Sequence, residues 1–121
     1  MHGVALLGAN LEGANLVDAN LGRAMMADTN LRGAQLQRSI LRESDLARAD
    51  LRGADLTDAN LRQVLSFETV NFDSQTILPN GDAWRKGYDL AMFTNSDHAD
   101  FWQPEWVIER REKVYEDTLD K

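Results

Sequence analysis

The sequence predicts an all-β solenoid that is closed at one end by an aromatic, partly helical tail. An apolar residue recurs every five positions through the first half of the chain, and polar residues or glycine separate these positions. Every aromatic residue lies after position 66. The 121 residues are enough for one folded unit.

The five-residue period runs from Val4 to Leu61. Its central position is leucine, or methionine once, and the position two before it is almost always Ala, Ser or Thr. An α-helix would spread these leucines around its circumference, since five residues advance it by about 500°. Three extended residues instead place the small residue and the leucine on one side, and two further residues turn the chain. Each pentapeptide is therefore predicted to be a short strand followed by a corner.

The predicted core consists of the central residues, which point into the coil. They are Leu11, Leu16, Leu21, Met26, Leu31, Leu36, Leu41, Leu46, Leu51, Leu56, Leu61, Phe67 and Phe72. Between Leu61 and Phe67 the spacing is six, which predicts one inserted residue near 64–66. Phe72 and Ile77 are expected to be the next two centres.

The repeats resemble the pentapeptide-repeat family, whose motif is A-(D/N)-L-x-x, as in residues 9–13 and 54–58. This resemblance implies a right-handed, quadrilateral β-helix with 20 residues in each coil, here just under four coils. Residues 20 apart should then stack like neighbouring strands. The sequence agrees in three columns of opposite charge, Asp18 with Arg38, Arg23 with Glu43, and Asp28 with Arg48. Gly13, Gly33 and Gly53 form a column that predicts corners with positive φ. The outward Asn and Asp residues are expected to hydrogen-bond neighbouring coils.

The chain is divided into a coil, residues 1–81, and a capping tail, residues 82–121. Pro79 and Gly81 mark the boundary. The tail aromatics Trp84, Phe93, Phe101 and Trp102 are expected to cover the last coil. The tail resembles that of bacterial family members through Leu78, Pro79, Gly81, Trp84, Asp89, Leu90, Phe93, Thr94, His98, Phe101 and Trp102.

A helix is predicted at about 104–117, with Pro104 in its first turn. Its apolar stripe is formed by Val107, Ile108, Val114 and Tyr115, and it should pack on its own coil or on another chain. The sequence also suggests an uncovered N-terminal coil end, because only three residues precede the first repeat. We expect that end to meet a partner, to pair with another copy, or to continue into a longer chain. Met25 and Ile40 are further candidates for a contact surface, since both are apolar at outward positions.

No catalytic, cofactor-binding or metal-binding residues are predicted. The chain lacks cysteine, and its only histidines are His2 and His98. Asp97, His98 and Asp100 could surround a metal, although a packed or exposed histidine is the simpler interpretation. No apolar run is long enough to span a bilayer, and the N-terminus does not read as a signal peptide. The cytoplasm is the expected location, and no membrane or small-molecule partner is expected.

A non-enzymatic structural or protein-interaction module is therefore predicted, with a protein partner or a homodimer through a solenoid end. The alternative, implied by the resemblance, is a DNA mimic that inhibits or protects a topoisomerase such as DNA gyrase. The net charge of −7 disfavours binding to nucleic acid itself. Mimicry is disfavoured because residues 1–81 hold 10 acidic and 7 basic residues, a net of only −3.

Overall fold

The computed structural model describes residues 3–107. Its backbone is organised by isolated parallel β-bridges, one in each pentapeptide, rather than by long strands. A short 3₁₀ helix spans Phe67–Thr69, and helix α1 spans Ala91–Thr94. Residues 105–107 are also helical. The rest of the predicted helix at 104–117 lies outside the described residues.

The parallel bridges give the register of the coil. From Ala5–Met25 to Asp45–Leu65 they join residues 20 apart, so one coil takes four pentapeptides. Four outer faces result, and we name each by its second bridge residue. The Met25 face comprises Ala5, Met25, Asp45 and Leu65; the Asn30 face comprises Asn10, Asn30, Asp50 and Asn71; the Gln35 face comprises Asn15, Gln35, Asp55 and Ile77; the Ile40 face comprises Asn20, Ile40 and Asn60.

Each corner between faces is a tight turn. In each turn the N–H of the fourth residue donates to the carbonyl of the first residue, as Ala34 donates to Leu31 over 3.0 Å. The third residue has positive φ, whether it is glycine, as at Gly33, or a charged residue, as at Arg38. This geometry is that of a type II turn, so the positive φ predicted for the corners is confirmed.

The core lies inside the coil and is formed by the inward leucines together with the small residues two positions earlier. From Leu16 to Phe67 every predicted central residue is buried, whereas Leu11 and Phe72 are half-buried. Two threonines also lie inside, and each satisfies its hydroxyl by donating to a backbone carbonyl: Thr29 to Leu6 and Thr76 to Leu51.

The five-residue rhythm is interrupted twice. The expected insertion is confirmed: Ser66 is the extra residue, in a left-handed conformation, and it leads into the 3₁₀ helix. The bridge spacing accordingly grows from 20 to 21 at Asp50–Asn71. A second insertion within residues 73–75 raises it to 22 at Asp55–Ile77. The assignment of Ile77 to the core is therefore wrong, because Ile77 lies at an outward bridge position and Leu78 is fully buried.

The outward Asn and Asp side chains mostly do not bond to neighbouring coils, contrary to expectation. Each accepts the backbone N–H two residues later in its own coil, as Asn20 does from Gly22 and Asp55 does from Thr57. The side chain thereby satisfies an N–H at the start of the corner, in the manner of an Asx turn. Asn30 and Asp55 also bond to the preceding coil: the Asn30 amide donates to Asn10 over 3.3 Å, and the Asp55 carboxylate accepts from the Gln37 amide over 3.1 Å.

Candidate interaction surfaces

The first coil presents a row of backbone groups along its N-terminal edge. In later coils the bridge N–H donates to the coil before it, as Asn30 does to Ala9 over 2.9 Å. Within residues 3–107, no carbonyl accepts the equivalent N–H of Asn10, Asn15 or Asn20. The inward Leu11 is half-buried at the same edge. This edge can therefore both donate hydrogen bonds and bury apolar surface.

Ion pairs connect successive coils at the corners. Arg38 reaches Asp18 at 3.1 Å, Arg23 reaches Glu43 at 3.0 Å, and Arg48 reaches Asp28 at 2.9 Å. All three pairs predicted from the 20-residue register are confirmed. Hydrogen bonding from the Arg48 guanidinium holds the pKa of the Asp28 carboxyl below its usual range. The acidic corners are thus neutralised locally.

On the Asn30 face, Asp50 pairs with a neighbour in its own coil. Arg52 donates to both carboxylate oxygens of Asp50, at 2.9 Å and 2.7 Å. This bidentate contact lowers the pKa of Asp50 and raises that of Arg52. Arg52 and Arg32 stack in the same column, so this face mixes both signs of charge.

A shallow groove of about 300 Å³ lies beside the Ile40 face. Its lining comprises Asn20, Gly22, Arg23, Ile40, Arg42 and Glu43. The Glu43 carboxylate lies 3.0 Å from Arg23 and 3.4 Å from Arg42. Because both oxygens already face guanidinium groups, the groove holds a paired carboxylate rather than a free acid or base.

The tail aromatics pack in two groups of contacting rings, and both groups belong to the hydrophobic cluster that includes the coil leucines. Trp84 stacks on Phe72 with ring centroids 5.7 Å apart, and Phe72 meets Phe67 edge-on at 5.3 Å. Phe93 is 1% exposed, and it lies 5.8 Å from Trp102 in a perpendicular arrangement. Of the other predicted cap residues, Phe101 is half-buried, and no contact between it and this cluster is described.

Three polar contacts attach the tail to the coil. The Gln63 N–H donates to the Thr94 carbonyl at 2.7 Å, and the Trp84 N–H donates to the Thr76 carbonyl at 2.9 Å. The indole of Trp106 donates to the Asp58 carbonyl at 2.9 Å. The sequence did not single out Trp106 or Gln63, because a hydrogen bond to a backbone carbonyl 48 residues away leaves no local pattern.

His98 lies in a hydrogen-bonded loop. Its Nδ1 accepts the Asp100 N–H at 2.9 Å, so in the neutral ring Nε2 carries the proton and donates to Asp89 at 2.8 Å. Asp97 is bonded elsewhere, its N–H donating to Asn95. No group of three acidic or histidine side chains within residues 3–107 is placed to hold a metal ion.

Of the predicted tail stripe, only Val107 is described, and it is half-buried. Ile108, Val114 and Tyr115 lie outside the described residues. Elsewhere in the tail, burial raises the pKa of the Tyr88 hydroxyl, which donates to Asp82 over 2.6 Å. In the part of the chain that the structure describes, no helix is both long and apolar enough to cross a membrane.

Comparison with known proteins identifies the repeat. The family model for pentapeptide repeats matches residues 6–42 and 29–65, in 8 copies. No curated protein matches the sequence.

The solved structures that are similar include three pentapeptide repeat proteins. A pentapeptide repeat protein from the thylakoid lumen of Arabidopsis thaliana is 24% identical over 69% of this chain and 60% of its own, with a TM-score of 0.45. Rfr23 from the cyanobacterium Cyanothece 51142 is 25% identical over 64% and 63%, with a TM-score of 0.32. HetL from Nostoc sp. strain PCC 7120, involved in heterocyst differentiation regulation, is 24% identical over 64% and 46%, with a TM-score of 0.31. The match spans less than two thirds of each of these proteins.

Proposed function

Since this chain belongs to the pentapeptide-repeat family, we propose that it is a non-enzymatic interaction module that docks through the N-terminal edge of its coil. Proteins of this family are generally structural or interaction modules. The fold they share is a right-handed β-helix. In this chain the interior of the helix is filled with leucine and alanine side chains, so a partner can bind only at the outer surface or at an end.

The single observation that carries this proposal is the set of available backbone donors on the first coil. Exposed strand edges are templates for pairing with another chain. A partner that adds an extended segment would accept the N–H groups of Asn10, Asn15 and Asn20. It would also cover Leu11, and both gains favour binding at this edge.

The opposite end has a different role in this proposal. The tail serves as a cap on a coil of just under four turns, as repeat proteins require at exposed ends. The buried Phe93 and the three polar contacts to the coil support this role. With one end capped, assembly is directed to the other end.

Light scattering over a range of concentrations tests the docking edge. Leu11→Lys places a charge at a half-buried position of that edge, where a partner would have to desolvate it. At about 10 µM and below, we expect the wild-type chain to exceed the monomer mass and Leu11→Lys to return to it. Val17→Lys is the matched control, since Val17 is exposed on the side of the coil, and it should assemble like the wild type.

A chain truncated after Gln103 separates the edge from the tail. The truncated chain should still assemble, because the edge is intact. Dissociation on truncation would locate assembly in the tail and would contradict edge docking.

DNA mimicry is a weaker candidate. A mimic of a duplex needs an extended surface of one sign. Here the corner carboxylates are paired with arginines, as Asp18 is with Arg38 and Asp28 with Arg48. In a DNA gyrase supercoiling assay, we expect neither inhibition nor protection at micromolar protein.

A further inference from the structure

The Met25 face differs from the other three faces in its outward side chains. Met25 is 47% exposed and Leu65 is 56% exposed, and Leu7 at the adjoining corner is 64% exposed. These are three of the four large hydrophobic residues that are exposed within residues 3–107, the other being Val17. Exposed apolar residues are ordinary when scattered, but their concentration on one face of a solenoid marks a contact surface.

On this face only Asp45 accepts the backbone N–H two residues later, whereas each of the other faces has at least two residues that do so. At an outward bridge position, Asn or Asp accepts the N–H two residues later, as Asn20, Asn30 and Asn60 do. Met25 and Leu65 cannot accept it. Departures from an otherwise regular local pattern concentrate at functional sites.

Four charges frame the apolar centre in an alternating pattern. Arg23 and Asp28 flank Met25 in the second coil, and Glu43 and Arg48 flank Asp45 in the third. The sign alternates across the face and also along it, where Arg23 pairs with Glu43 and Asp28 with Arg48. Both arginine side chains remain more than 60% exposed, so each can take a second partner.

We propose that the Met25 face binds the Met25 face of a second copy of this chain, with the two coils antiparallel. A twofold axis between the second and third coils brings Arg23 against Glu43 of the second copy, and Asp28 against its Arg48. Every flanking charge then meets one of opposite sign, and Asp45 lies against Met25 of the second copy rather than against another carboxylate. The parallel arrangement also opposes unlike flanking charges, but it sets Asp45 against Asp45 of the second copy, and like charges directly opposite are unfavourable.

The size of the face sets the expected strength. The face is four rows high, with rows about 4.8 Å apart, and as wide as three extended residues with their corners. Its area is therefore roughly 300 Å² per copy. The total of roughly 600 Å² is well below the approximately 1,200 Å² of stable specific complexes. The contact is therefore weak, and it is separate from the N-terminal edge.

Sedimentation velocity from about 10 µM to about 1 mM, in the Leu11→Lys background, isolates this contact from edge docking. We expect the sedimentation coefficient to rise with concentration, and Met25→Asn to abolish the rise. Asparagine suits this bridge position, so the variant should stay folded. Ile40→Asn, the same change on another face, should leave the rise intact. A constant monomer coefficient in the Leu11→Lys chain would overturn the proposal, as would an equal effect of both asparagine variants.

A charge exchange tests the antiparallel arrangement. In Arg48→Asp alone, the new aspartate faces Asp28 of its own chain and Asp28 of the second copy. This substitution should therefore abolish association. Combining it with Asp28→Arg restores the pair within the coil and, in the antiparallel arrangement, the pairs between copies. The double variant should therefore associate again. In the parallel arrangement the arginine introduced by Asp28→Arg would face Arg23 of the second copy, so failure of the double variant to associate would contradict the proposal.

Discussion

Replacing Phe93 by alanine tests whether the tail and the coil form one folded unit. Phe93 is 1% exposed and lies between Tyr88, with centroids 6.0 Å apart, and Trp102, at 5.8 Å. Truncating a buried phenylalanine costs about 3–5 kcal/mol through lost burial and the cavity left behind. With a denaturant dependence of about 2 kcal/mol per molar urea, the unfolding midpoint should fall by about 1.5–2.5 M.

Two optical probes report on the two parts of the chain. All tryptophans lie after position 83, so their fluorescence follows the tail, whereas far-UV circular dichroism follows mainly the coil. We expect both transitions to shift together, because Phe93 packs in the same cluster as the coil leucines. Phe101→Ala is the control, with a smaller shift, because Phe101 is only half-buried. A fluorescence transition that moves alone would refute the packing of the tail on the coil.

Three further predictions concern the coil. In urea titrations, Gln63→Gly should raise the free energy of unfolding by about 1 kcal/mol, because Gln63 has a φ of 60°, which is unfavourable for a residue with a Cβ. Gly53→Ala, at a φ of 72°, should lower the free energy of unfolding by a similar amount. Thr76→Val should lower the free energy of unfolding by about 1–3 kcal/mol, because the buried hydroxyl of Thr76 donates to a backbone carbonyl at 2.8 Å. Arg52 lowers the pKa of Asp50 from 3.8, so the ionised Asp50 stabilises the folded chain fully above pH 3.8. This stabilisation of the fold is lost as the pH falls through the pKa that Asp50 has in the folded state. Melting curves of Asp50→Asn should accordingly depend less on pH below about 4 than those of the wild type, and unchanged pH dependence would contradict the pairing.

The 20-residue register of the coil is what the resemblance to pentapeptide repeats implies, and the charge columns of the sequence agree with it. The opposite charges of Asp28 and Arg48 stand 20 positions apart, and the structure brings them together. The glycine column predicts the corner conformations in the same way. Once the register is given, periodic contacts of this kind can be deduced from the sequence.

The second interruption of the period could not be deduced from the sequence. Ile77 and Leu78 are adjacent and both apolar, so composition does not show which one points inward. The second insertion, within residues 73–75, places Leu78 in the core, and only the positions of neighbouring coils decide this. The role of the outward asparagines was missed because an N–H two residues away and a neighbouring coil are equally plausible partners for a short amide.

The interaction surfaces illustrate the same limit. Met25 was noticed as an outward apolar residue, but its association with Leu65 and Leu7 depends on the four-sided register. Ile40 was grouped with Met25 in the sequence, yet it lies on a different face and is less exposed. Which apolar residues form one surface is thus a property of the coil and not of the repeat.

The mass of the purified chain in solution, measured by light scattering with Leu11→Lys and Val17→Lys alongside, tests docking through the N-terminal edge most directly. At about 10 µM and below, we expect a wild-type mass above that of the monomer, the monomer mass for Leu11→Lys, and the wild-type mass for Val17→Lys. In that range, a monomer mass for the wild type, or an assembly that Leu11→Lys leaves intact, would contradict docking through this edge.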